Sequence, residues 1–291
     1  VDDAALLALA DACDNTDRWP DAPGRGTLNY VDASTVVAAV GEVRDGVTLS
    51  IALPLAPGVP GYTYEPLPPE APTAYADAIR VAPHGFGITH LDAPGHTFQA
   101  GRTIGGATRA DTIGPAGLRH GAITDLLPGV VTRGVLLDVA TARGLAHLER
   151  GAGIGIDDLR AAEELAGTAV RRGDAVFLRT GIAQRLAAEG VPDEEPREGI
   201  LPEVIGWLHE RQVAVYSGDC IERMPSGSAV WPMPLHQIGH TRMGLVILDN
   251  VDMEALAREC ASLGRATFLL VCGPLPLVGA SGSPVAPIVV F

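Results

Sequence analysis

The chain of 291 residues carries a formal charge of −14, and 47% of it is hydrophobic but only 4% aromatic. That length suffices for one large domain or two small ones, with an interior mostly of Ala, Val, Leu and Gly, the composition of an ordinary α/β enzyme. The acidic balance excludes a phosphate-backbone binder, which needs a basic stripe, and no apolar run reaches the roughly 20 residues of a membrane helix.

Residues 2–13 set leucines at helical spacing behind Asp2 and Asp3, acids that suit a helix N-terminus. A Pro/Gly-rich loop leads to GTLNYVDASTVVAAVGEV, where Asp32 or Ser34 caps a second helix, so residues 1–45 form an N-terminal helical segment. VTLSIALPL reads as a strand. Residues 54–83 hold Pro54, Pro57, Pro60, Pro66, Pro68, Pro69 and Pro72 and are expected to be a long irregular loop over a site. Residues 86–92 alternate as a strand entering the Pro94-Gly95 turn.

GVLLDVA (134–140) and DAVFLRTG (174–181) read as buried strands. Between them IDDLRAAEELAGTAVRRG reads as one amphipathic helix, acidic early and closed by Arg171-Arg172 in accord with the helix dipole. A helix over 202–211, a strand in VAVYSGD, a helical segment over 234–243 and the apolar run GLVILDN follow. Asp252 opens a helix to about Leu263, and ATFLLVCGPL is the expected final strand before an irregular Gly/Pro/Ser-rich tail. No repeat or linker interrupts the chain, so residues 1–291 are expected to form a single domain. Cys13, Cys220, Cys260 and Cys272 make no C-x-x-C pair, and Val1 to Cys13 lack a signal-peptide pattern. Reduced thiols and a cytoplasmic location are the expectation.

Chemistry concentrates in HGFGITHLDAPGHTF, residues 84–98, which holds three of the eight histidines. In a strand, His90 and Asp92 project from one face because side chains alternate with a period of two. Their imidazole and carboxylate can converge on one cation, leaving it positive charge and open positions for water and substrate. The Pro94-Gly95 turn folds the chain back so that His96 faces the same space. His236 and His240 stand four apart and share a face of any helix there, a second pattern that suggests metal ligands on its own. Phe86, Trp19 and Trp231 are candidate walls for a flat or apolar substrate, set against the ordinary role of an aromatic in a core. His84 is divided between a substrate or ligand-supporting contact and simple loop polarity. Asp219 and Glu222 are divided between supporting acids and a solvated or capping role, while His120, His147 and His209 read as structural or surface residues. The glycines near Gly151–Ile156 lack a preceding strand, so no dinucleotide site is expected, and Ser226-Gly-Ser228 is not the G-x-S-x-G of a serine hydrolase.

The run T-H-L-D-A-P-G-H, residues 89–96, resembles the signature of the cyclase family, which includes kynurenine formamidases and isatin hydrolases. GTLNYVDASTVVAAV, GVVTRGVLLDVA, GDAVFLRTG, SGDC, PLHQIGHTRMGLVILDNVDMEALA and PLPLVGASGSPVAPIVVF extend the likeness over nearly the whole chain. The isatin-hydrolase-like branch is the nearest in character. The resemblance implies an α/β fold with a swivelling β/β/α barrel-like domain, assembled as a homodimer or homotetramer, with Trp19 of a neighbouring subunit closing the pocket.

Kynurenine formamidases carry a further ligand histidine where this chain has Phe86, and their later His and Glu ligands fall by spacing on Gln237 and Asp249. The resemblance therefore implies one metal ion per subunit, Mn²⁺ with Zn²⁺ as the alternative, held by His90, Asp92 and Gln237. By its place in the motif His96 accepts a proton from water and later protonates the leaving nitrogen. His84, Phe86, Trp19, His236 and Trp231 are the expected substrate contacts. The implied activity is hydrolysis of the C–N bond of a cyclic amide or an N-formyl group of a small molecule. A metal-assisted cyclase, dehydratase or lactone hydrolase is the alternative within enzymes, and a catalytically inactive small-molecule binding protein the alternative outside them. No nucleic-acid or membrane partner is expected.

Overall fold

The computed structural model describes residues 2–67, 76–190 and 196–291. Among these residues, nine strands form one mixed sheet curled into a half-barrel. In chain order they are β1 (Thr48–Ser50), β2 (His90–Asp92), β3 (Val130–Asp138), β4 (Ala175–Arg179), β5 (Val215–Gly218), β6 (Val246–Asp249), β7 (Thr267–Cys272), β8 (Gly282–Pro284) and β9 (Ile288–Val290). Their spatial order is β1-β9-β7-β3-β4-β5-β6-β2-β8. The middle four, β3 to β6, run parallel to one another, and the outer strands join antiparallel.

A parallel sheet covered on both faces needs apolar residues at consecutive positions. The central strands supply them. Val135, Leu137, Val176, Leu178, Tyr216 and Ile247 enter one core with helices α1 (Asp3–Ala12), α2 (Ile156–Ala166), α3 (Pro202–Glu210) and α4 (Pro234–Ile238). The alternating residues Leu136, Ala175, Phe177, Val215, Val246 and Leu248 enter the other core with α5 (Met253–Leu263). The expected helix starts hold, with Asp2 accepting from Ala4 N, Asp32 from Thr35 N and Asp252 from Ala255 N.

Four expectations are corrected. Helix α2 stops at Gly167, whose left-handed conformation (φ 64°) caps it, so Arg171-Arg172 lie beyond the helix and Arg171 N donates to Asp174 instead. The proline-rich segment is not wholly irregular: Tyr62–Leu67 pairs with Ala76–Val81 as a two-stranded ribbon, where Pro66 is tolerated because no third strand needs its missing N–H. The expectations at Pro68, Pro69 and Pro72 lie outside the described residues. The expected strands at 47–55 and 86–92 shrink to Thr48–Ser50 and His90–Asp92. The tail is not irregular: β8 and β9 both join the sheet, with Pro284 on the edge strand β8. The four cysteines are buried and free. Among the described residues, no helix is long and apolar enough to cross a membrane.

Strand β2 lies between β6 and β8, with Asp249 opposite His90 and Ile247 opposite Asp92. Leu91 points into the second core, so His90 and Asp92 face the first.

The close-packed centre yields a test. Gly134 in β3 faces Phe268 in β7, and a Cβ there would overlap the Phe268 ring, itself hemmed in by Phe177 and Phe291. Gly134→Ala should therefore lower unfolding free energy by about 1–3 kcal/mol, the usual cost of overpacking. A urea titration superimposing on that of the parent would show that the aromatic cluster yields freely.

Candidate metal centre

Asp92, 1% exposed, is the hub. Strand β2 carries it two residues after His90, whose Nδ1–H donates to Ile88 O at 2.7 Å. That bond leaves the His90 Nε2 lone pair 3.4 Å from Asp92 Oδ1. From the preceding loop His84 brings Nδ1 to 2.8 Å from the same oxygen and Nε2 to 3.0 Å from Ser281 Oγ. His96, on the single helical turn Pro94–His96, stacks on His84 with ring centroids 3.8 Å apart and planes at 11°.

The opposite wall comes from α4 and the π-helical turn Gly239–Met243 that continues it. His240 Nδ1–H donates to Leu245 O at 2.9 Å, leaving Nε2 buried without a hydrogen-bond partner, 3.9 Å from Asp92 Oδ2. His236 Nδ1–H donates to the buried Glu222 carboxylate at 3.0 Å. Among the described residues, two groups can hold a cation, His84–His90–Asp92 and Asp92–His236–His240, and they share Asp92.

Burial alone would raise the Asp92 carboxyl, but hydrogen bonds from His84 and His90 and the charge of the surrounding imidazoles outweigh it and hold the group well below the usual carboxylate range. Burial likewise takes His96 down to about 4 and His240 down to about 3, so both are neutral at physiological pH. His236 goes the other way: the Glu222 charge and hydrogen bond overcome burial and lift it to about 9. Asp249 rises to about 6 through burial and the Asp92 charge beside it. Lone pairs of His90, His240 and Asp92 thus face one another in a buried space. In the bare chain His90 answers by a raised pKa, taking a proton toward Asp92. A divalent cation would answer the same conflict, so the donor set fits a metal.

A cavity of about 410 Å³ opens over this cluster, lined by His84, Phe86, His90, Asp92, His96, Ile221, Met233, His236, Gln237 and Asp249 among others. Seven of the nine expected site residues therefore meet in one place. Gln237 lines the cavity, but its amide already has protein partners: Oε1 accepts from Met233 N at 3.0 Å, and Nε2 donates to Val230 O at 3.1 Å and to Gln99 Oε1. A π-helical turn, Gly239–Met243, separates α4 from β6.

Trp19 packs edge-on to Tyr30 at 5.0 Å and does not line the cavity of its own chain. Trp231 is buried in the first core, and its successors Pro232 and Met233 form the wall instead. Ser281 and Gly282 went unread, since their contacts with residue 84 arise only when the tail becomes β8. The S-G-S triplet was the available signal. Glu222, weighed only as a supporting acid, holds His236.

The description "Putative cyclase" belongs to a family whose model matches residues 47–222. No curated protein matches the chain. A crystal structure described as a novel cyclase shares 27% identity with TM-score 0.85, covering 96% of this chain and 100% of that one. Isatin hydrolase A from Ralstonia solanacearum shares 20% identity with TM-score 0.64, covering 90% of this chain and 98% of that one. A structure described as a predicted metal-dependent hydrolase from Bacillus stearothermophilus shares 16% identity with TM-score 0.52, covering 84% of this chain and 98% of that one. The last two show a shared fold.

Gly282 tests the architecture. A Cβ at this position would lie 2.6 Å from His84 Cε1, so Gly282→Ala must move His84 away from Asp92 and His96. Divalent-metal affinity should fall about 10–100-fold, the range for groups that orient ligands. Unaltered affinity would show that His84 takes no part in holding Asp92 in place.

Proposed function

The chain belongs to the cyclase family, and from that premise we propose that it is a metal-dependent hydrolase that cleaves the C–N bond of a small amide, cyclic or N-formyl. The observation that carries this reading is the convergence of Asp92, the Nε2 atoms of His90 and His240, and a neutral His96 on one cavity. The metal-dependent hydrolases among its structural neighbours support the same class of reaction.

Asp92 and His90 would hold about one Mn²⁺ or Zn²⁺ per chain, a mixed N/O set that suits either ion. The geometry favours the histidines of the π-interrupted helix, His236 and His240, as the further donors in place of Gln237. Hydrogen bonds at Nδ1 orient all three imidazoles, from His90 to Ile88 O, from His240 to Leu245 O and from His236 to Glu222. The ion supplies positive charge that polarises a carbonyl and acidifies water.

The residues of the chain do the proton work. The unprotonated ring nitrogen of His96 takes a proton from water as its oxygen attacks the carbonyl carbon. The C–N bond breaks, and His96 returns the proton to the leaving nitrogen, so one water is consumed and a carboxylic acid and an amine are formed. The stacked His84 ring fixes the plane of His96. Burial keeps His96 free of a proton above about pH 4, so the general base is available throughout the neutral range.

Four measurements test this reading. Turnover of cyclic amides, N-formyl anilines and lactones by Mn²⁺-loaded protein should favour the amides; turnover confined to lactones would move the chemistry to ester cleavage. His96→Asn should lose about 10²–10⁴-fold in kcat while keeping its metal. In the parent, activity should fall with pH only near about 4, not near the ordinary histidine value of about 6.5. Metal analysis separates the donors: Gln237→Ala should retain the ion, whereas His236→Ala and His240→Ala together should lose it. The opposite pattern would return the third position to the Gln237 amide.

A further inference from the structure

A second cavity, of about 250 Å³, adjoins the first, and the two share Phe86, Ile221 and Asp249 as walls. It sits at the carboxyl ends of β4, β5 and β6, where open α/β sheets commonly leave a crevice for ligands. Leu53, Ile182, Leu186, Val251 and Met253 make most of its surface apolar.

Five carboxylates also border it, and four of them are already satisfied. Asp219 accepts from Thr180 N at 2.7 Å, Thr180 Oγ1 at 2.9 Å and Gly181 N at 2.9 Å. Glu254 pairs with Arg179 at 2.8 Å and accepts from Gln184. Glu198 pairs with the fully buried Arg185 at 3.0 Å. Asp252 caps α5 through Ala255 N at 2.9 Å. Those four charges are spent inside the protein. Asp249 alone carries no such pairing, and it stands at the junction with the first cavity.

On the hydrolase reading above, we infer that this second cavity is the subsite for a compact apolar group of the substrate, up to two fused rings, carried next to the carbonyl that is cleaved. Size supports the assignment, since an apolar cavity of about 150 Å³ already accommodates benzene. Phe86 supports it as well. The residue is 61% exposed and lines both cavities, and the Arg197 guanidinium lies 3.7 Å from its ring centroid. The dividing wall is thus an aromatic face placed between the reacting centre and the apolar chamber.

The test uses 2-acetylnaphthalene, which has a carbonyl beside two fused rings and no bond to hydrolyse. Its binding to the Mn²⁺-loaded full chain is measured by calorimetry. Ala183 lies on the exposed mouth of the chamber, so Ala183→Trp fills it from outside the core, and Leu186→Phe fills it from the wall. Each should weaken binding about tenfold or more while metal content stays unchanged. With a hydrolysed naphthyl amide both should raise KM more than they lower kcat, and a formyl amide without a ring should be indifferent to both. Equal binding in the parent and both variants, or no binding to the parent, overturns the subsite. Loss of binding in the variants without turnover of any amide would keep the subsite and refute the hydrolase reading instead.

Discussion

A buried carboxylate surrounded by imidazoles is the constraint from which the rest of this structure follows. Removing a charge such as Asp92 from water costs several kcal/mol unless partners replace the lost hydration. Here the partners come from chain segments far apart in sequence: His84 and His90 from the approach to β2, and His236 and His240 from α4 and its π turn. The sheet must therefore bring residues 84–96 beside residues 236–249, and it does so by inserting the short antiparallel β2 next to the last of its parallel strands. The tail then closes the edge, and Gly282 leaves room for the His84 ring that a larger residue would occupy.

The same need explains which parts of the site could be read in advance. His90 and Asp92 fall on one face through strand periodicity alone, a local property, and Leu91 duly points to the opposite core. Helix starts at Asp2, Asp32 and Asp252 were legible for the same reason, because a cap bonds within three residues. What stayed hidden depends on distant pairing. The tail reads as loop because Pro, Gly and Ser are poor strand formers, and β8 exists only because β2 offers it an edge. The ribbon over 62–81 is hidden by its prolines, which local propensity counts against a strand whether or not their N–H would have been used.

The surroundings of Gln237 contain a feature that sequence spacing alone does not show. A π turn departs from the constant 3.6 residues per turn of a regular helix without any strong mark in the sequence. Its consequence is chemical: the amide becomes a bridge to Met233, Val230 and Gln99, while the buried imidazole of His240 is left with a lone pair facing Asp92. Irregular helical turns of this type cost regular backbone bonding and are found often at functional sites. Here the turn gives His236 and His240, four residues apart, different anchors. One is tied to a carboxylate and the other to a backbone carbonyl.

That difference in anchors sets the electrostatics of the cavity. Glu222 draws His236 toward the charged state, whereas His240 and His96 have no acid of their own at hydrogen-bonding distance and are held neutral by burial. His90, His96, His236 and His240, of similar intrinsic basicity, are thereby spread over a wide range of proton affinity by their surroundings. A cation placed among them would displace protons from the groups nearest Asp92 first, and its charge would depress His96 further in the direction burial already takes it. Cation binding at this cluster and a neutral His96 would therefore reinforce one another: the desolvation that leaves unanswered lone pairs around Asp92 also keeps the His96 imidazole unprotonated. A more polar cavity would relieve both conditions together, which gives a physical reason for this cluster to lie beneath largely apolar walls.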